Sequence, residues 1–128
     1  MVSKGPGAFN GAKGKLVSLE GNTATRLLWP AFSIPKKFTI CSVTRYAGAT
    51  RNRILNTNGA PYSYGANWLH GHHAGDRGVA YYQGWRAPEV NRGDPLDWLI
   101  MCGTSGGRQA NNLIIDQEDI GTSDAVYE

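Results

Sequence analysis

The chain has 128 residues, a formal net charge of +3 and 17 glycines spread along its length. That length supports one hydrophobic core, no apolar run approaches the roughly 18–20 residues of a membrane helix, and the frequent glycines favour short strands and turns over long helices. The charge is uneven: residues 1–53 carry nine Lys/Arg and one acid (Glu20), whereas residues 54–128 carry four Arg and nine acids.

Residues 1–14 read as an irregular basic arm, rich in Gly, Ala and Lys, with the domain proper over 15–128. The opening residues lack the apolar core of a secretory signal, and composition alone leaves the compartment open. Lys15 to Glu20 alternates and predicts a first strand, closed at Gly21-Asn22. Leu27 to Phe32 is apolar, but Pro30 keeps it out of a central strand. Phe38 to Tyr46 (FTICSVTRY) is the strongest strand signal, rich in β-branched and aromatic residues.

Arg53 to Asn56 predicts a short strand, followed by a Pro-Tyr-Gly-rich loop over 60–66. Asn67 to His73 and Gly78 to Trp85 flank Ala74-Gly75-Asp76-Arg77, which reads as a hairpin turn. A long connection over 86–97 leads to Trp98–Gly121, two apolar runs around a Gly-Gly turn. That pattern predicts an antiparallel hairpin, with FTICSVTRY as its partner strand. Cys41 and Cys102 then fall in neighbouring strands, which leaves open a disulfide or two buried thiols. No sustained helical periodicity occurs. The fold class expected is an all-β antiparallel sandwich.

The order and content of these strands resemble the laminin-G-like and concanavalin A-like jelly-roll superfamily. Leu16, Leu19 and Gly21 match its opening strand, FTICSVTRY its "F-T-I-S-x-W-V" strand, and Arg53-Ile54-Leu55 its "R-I-L" strand. Trp98 with Gly106-Gly107, and then Leu113 to Gly121, match its last hairpins. Three departures stand out. Asp116-Gln117-Glu118-Asp119 replaces the usual Asn-Gly turn, Leu99 replaces a histidine, and the sequence stops soon after this hairpin. The resemblance implies a jelly roll that lacks the last strand or strands, an open sheet edge and an extracellular setting.

Three constellations carry candidate chemistry. His70 and His72 share one face of a strand, the spacing of two metal ligands, but without an evident third ligand they read as a polar contact surface. Asp116, Glu118 and Asp119 raise the paired carboxylates of sugar hydrolysis. They depart from the spacing of related hydrolases and read instead as a solvated turn, or as ligands of the Ca²⁺ that the resemblance implies. The aromatics Tyr62, Tyr64, Trp68, Tyr81, Tyr82 and Trp85 cluster in the middle third, where rings suit sugar stacking or protein contact. Adjacent Tyr81 and Tyr82 must point to opposite faces. Trp29, Trp68 and Trp98 are assigned to the core.

These readings converge on a non-catalytic module that binds a glycan or a protein. Tyr62, Tyr64, Tyr82 and Trp85 would stack, and Asn67, His70, His72 and Arg77 would hydrogen-bond. The alternative is a structural accessory subunit, docked in a larger assembly through its basic arm (Lys4, Lys13, Lys15) and open sheet edge. Dispersed basic residues without an aromatic-basic motif argue against nucleic acid.

Overall fold

The computed structural model describes residues 2–4, 16–30, 32–57, 67–82, 84–87, 90–106 and 109–121. Among them are ten strands: β1 (Val2–Lys4), β2 (Leu16–Ser18), β3 (Thr39–Thr44), β4 (Leu55–Asn56), β5 (Trp68–His73), β6 (Asp76–Tyr82), β7 (Trp85–Ala87), β8 (Leu99–Thr104), β9 (Leu113–Ile115) and β10 (Glu118–Asp119). The described residues contain no helix, and hence none long and apolar enough to cross a membrane. Eight strands form two antiparallel sheets, ordered β10-β9-β8-β3 and β4-β5-β6-β7. β1 and β2 make a separate antiparallel ribbon, so residues 2–4 are a paired strand rather than part of an irregular arm.

The first sheet is built on the pairing expected between FTICSVTRY and the hairpin after Trp98. β3 and β8 stay in register over six pairs, from Thr39↔Thr104 to Thr44↔Leu99. Side chains alternate across the sheet: Leu99 and Met101 are buried, while Val43 and Ile100 face outward and are 60% and 52% exposed. Cys41 lies directly opposite Cys102 on that outward face, and the two form a disulfide. The buried free thiols considered above are thereby excluded, since Cys41 is exposed.

In the second sheet, the β5–β6 hairpin closes on two residues, Ala74 (φ 52°) and Gly75 (φ 102°). Two successive positive φ angles give a turn whose twist matches that of the flanking strands. Asp76 and Arg77, expected in the turn, therefore belong to β6. Gly71 pairs with Val79 but His72 pairs with Arg77, which leaves Gly78 as an extra residue in β6. This bulge changes the side to which Arg77 points.

The sheets pack face to face. Trp68, Ala80, Tyr82 and Ala87 of the second meet Leu99, Met101, Leu113 and Ile115 of the first, with Phe38, Ile40, Leu55 and Ile120 at the margins. Tyr82 crosses the interface so closely that its hydroxyl occupies the space of a side chain at Gly103. The architecture is an antiparallel β-sandwich, as the strand pattern predicts. Trp68 is buried as expected, but Trp29 is 63% exposed and lies outside the core.

Candidate functional site

β5 places Trp68, His70 and His72 on one parity, and the burial of Trp68 carries both histidines inward with it. Both imidazoles are fully buried. His70 Nδ1 shares a 2.5 Å hydrogen bond with Tyr82 Oη, and its ring stacks near-parallel to Trp68 and Tyr82. His72 Nδ1 meets Thr44 Oγ1 at 3.3 Å, and its ring lies edge-on to Tyr46 with centroids 4.6 Å apart.

Burial holds the His70 pKa down at about 4, against a smaller opposing contribution from the Met101 backbone. Burial likewise holds His72 at about 4, with further lowering from the Arg77 guanidinium and from His70. Burial raises the Tyr82 pKa. His70, His72 and Tyr82, expected on a ligand-contact surface, are instead interior groups between the sheets.

Arg77 is also turned inward. It is 5% exposed. Its Nη2 donates to Trp98 O at 2.8 Å and to Asp116 Oδ2 at 2.6 Å, and its Nη1 donates to Arg92 O. One guanidinium thus ties β6 to the connection before β8 and to the β9–β10 turn. Both of its terminal nitrogens are engaged in the fold and the side chain is buried, which removes it from the ligand-contacting set.

The three acids do not act together. Asp116 (φ 49°) and Gln117 (φ 76°) form the two-residue β9–β10 turn, a backbone shape that short polar Asp tolerates. The Asp116 carboxylate accepts from Arg77 and, through Oδ1, from the Ile100 amide at 2.9 Å. Asp116 sits in an exposed turn, as the solvated-turn reading expects, and there also serves as an ion-paired inter-sheet tie. Asp119 accepts from the amides of Asn111 (2.8 Å) and Gly121 (2.9 Å), pinning a different loop, while Glu118 is exposed. Among the described residues, no three His, Cys, Asp or Glu side chains are grouped to hold a metal, and the Asp116 and Asp119 carboxylates accept from Arg77 and from backbone amides.

The opposite parity of the second sheet carries the remaining candidates. Tyr81 pairs with Leu69 on one side and Trp85 on the other. The rings of Tyr81 and Trp85 meet edge to face at 5.2 Å, and both are half-buried. Asn67, just before β5, accepts through Oδ1 from Arg53 Nη1 at 2.7 Å, and Arg53 Nε reaches His73 Nδ1 at 3.4 Å. Leu69 and Val79, on the same parity, are fully buried, so the accessible part of this face is its aromatic edge and its polar trio.

Of the residues expected to bind, only Asn67 and Trp85 share this face; Tyr62 and Tyr64 lie outside the described residues. Tyr81, Arg53 and His73 are the additions. Tyr81 was legible from the rule that adjacent tyrosines diverge. Arg53 had no local signal, because a strand from elsewhere in the sheet brings it to β5. The chain matches no protein-family model, no curated protein and no solved structure.

Proposed function

We propose that this sandwich is a non-catalytic binding module that recognises a glycan through the outer face of its second sheet. The observation that carries this is the half-exposed Tyr81–Trp85 pair beside the Arg53–Asn67–His73 trio. Aromatic rings offer flat apolar surface to the C–H face of a sugar, and fixed amide, guanidinium and imidazole groups answer its hydroxyls. The non-catalytic reading draws support from the buried titratable groups, which are engaged in the fold: His70 with Tyr82, His72 with Thr44, Arg77 with Asp116.

The laminin-G-like resemblance, with its jelly-roll connectivity, points the same way. The Cys41–Cys102 disulfide suits an oxidising, extracellular setting. The test is a glycan array followed by calorimetry on any hit. Binding that is lost in Trp85→Ala and in Tyr81→Ala, with thermal stability retained, supports the reading. A folded protein that binds no glycan overturns it.

A second reading, an accessory subunit docked through a sheet edge, rests on β3. It stands at the end of its sheet order, six residues long and unbroken by Pro or a bulge, a ready template for another strand. Light scattering separates the two, because a stable monomer counts against self-assembly through that edge.

A further inference from the structure

The segment before β3 carries a chemistry that the glycan face does not use. Leu27, Leu28, Trp29, Phe32 and Ile34 are all large and apolar, and they are 62%, 66%, 63%, 97% and 43% exposed. The two rings alone leave roughly 300 Å² of aromatic surface in water, enough to mark an interaction site.

Local geometry drives this exposure. Ser33 N and Ser33 Oγ both donate to Pro30 O, at 3.2 and 2.7 Å, closing a tight turn. Phe32 occupies that turn with φ 67°, a conformation that ordinarily selects glycine. A bulky side chain is thus held in a costly backbone shape at the apex of a turn, where it touches almost nothing of its own chain.

The charge of the flanking sequence is of one sign. Between Glu20 and Asp76 the sequence contains no acid, while Arg26, Lys36, Lys37, Arg45, Arg51 and Arg53 all fall there. Arg26 immediately precedes the apolar tract, and Lys36 and Lys37 follow it. Those two lysines, with Phe38, Thr39, Ser105 and Gly106, line an open recess of about 550 Å³. Its walls are fixed to one another: Ser105 Oγ accepts from the Phe38 amide at 3.1 Å, and Ser105 N donates to Phe38 O at 3.0 Å.

We infer that residues 26–37 dock this domain onto an anionic lipid surface. Leu28, Trp29 and Phe32 enter the interfacial layer, Arg26 and the two lysines meet the lipid phosphates, and the recess beside Lys36 and Lys37 accepts one headgroup. Membrane-surface binding scales with buried apolar area and with attraction to anionic lipid, and tryptophan favours the headgroup depth. The inference is independent of the glycan reading, since residues 26–37 include none of Arg53, Asn67, His73, Tyr81 and Trp85.

The test is co-sedimentation of the full chain with vesicles of phosphatidylcholine alone and of phosphatidylcholine with about 30% phosphatidylserine, whose negative surface potential attracts clustered lysine and arginine. Binding is expected to the mixed vesicles only, to weaken with salt, and to disappear in Phe32→Asp. Lys36→Gln/Lys37→Gln should weaken it roughly 30-fold. A blue shift of the fluorescence on binding should be absent in Trp29→Phe.

Each variant is checked by circular dichroism, and exposure of these side chains predicts unchanged folding. No sedimentation of folded protein with either vesicle overturns the inference, as does a Phe32→Asp variant that still binds. A dimer in light scattering that Phe32→Asp dissociates, without vesicle binding by the wild type, assigns the tract to a second copy and equally overturns it.

Discussion

Arg77 and Asp116 join the two sheets through a 2.6 Å contact between a buried guanidinium and the first residue of the β9–β10 turn. The pair shows why the acids of this turn are unequal. Removing the Asp116 carboxylate leaves a buried cation one partner short and also frees the Ile100 amide. Asp116→Ala should therefore cost about 1–3 kcal/mol. Glu118→Ala, at an exposed position two residues on, should stay within about 0.5 kcal/mol of wild type. Urea denaturation of both variants measures the difference, and equal effects would contradict the assignment of Asp116 as the inter-sheet tie.

The two buried histidines predict acid sensitivity. In the folded state both pKa values are held near 4, whereas an unfolded imidazole titrates near 6.5. Between these values the unfolded chain binds more protons, so stability must fall as pH falls from about 6.5 toward 4 and level off below. Each histidine should contribute up to roughly 1.4 kcal/mol per pH unit in that window. Urea midpoints between pH 7.5 and 4.5 measure it. His72→Asn should flatten the slope, whereas a flat wild-type profile would show that neither imidazole is buried in the neutral form.

Much of the fold is legible in the sequence, whereas the site turns on two side-chain parities, that of β5 and that of Arg77. The pairing of FTICSVTRY with the strand after Trp98 follows from composition and alternation, and it places Cys41 opposite Cys102. The inward side of β5 was also within reach. Trp68 reads as core, and period-two geometry then carries His70 and His72 to the same side. A surface His70–His72 cluster is therefore incompatible with a buried Trp68. Arg77 was hidden differently: its side depends on the bulge at Gly78, and a one-residue register change reverses parity. Nothing in the sequence linked it to Asp116, 39 residues away.

The disulfide closes a 61-residue separation that contains the whole second sheet. Constraint of the unfolded chain over such a loop is worth up to about 4 kcal/mol. Cys41→Ser/Cys102→Ser should lose about 2–4 kcal/mol and still fold, because six ladder pairs and the inward Leu99 and Met101 hold β3 on β8 without it. Thermal melts with and without dithiothreitol should show the same shift in wild type and none in the double variant. Loss of β-sheet circular dichroism in the variant at 25 °C would instead make the bond a condition of folding.

Gly78 tests how Arg77 comes to face inward. Its φ is 79°, and an added Cβ would lie 3.1 Å from Arg92 Cδ and 3.4 Å from Ile115 Cδ1. Gly75 has φ 102° in the hairpin turn but open space around it. Both Gly→Ala changes incur the backbone strain, about 1–3 kcal/mol; only Gly78→Ala also displaces neighbours, so it should be the more damaging. If the bulge is what aims Arg77 at Asp116, flattening it already removes the ion pair. Gly78→Ala and Asp116→Ala should then be less than additive in a double-mutant cycle, by about 0.5 kcal/mol or more. Gly75→Ala and Asp116→Ala should simply add. Strict additivity in both cycles would mean that Arg77 reaches Asp116 whatever the register of β6.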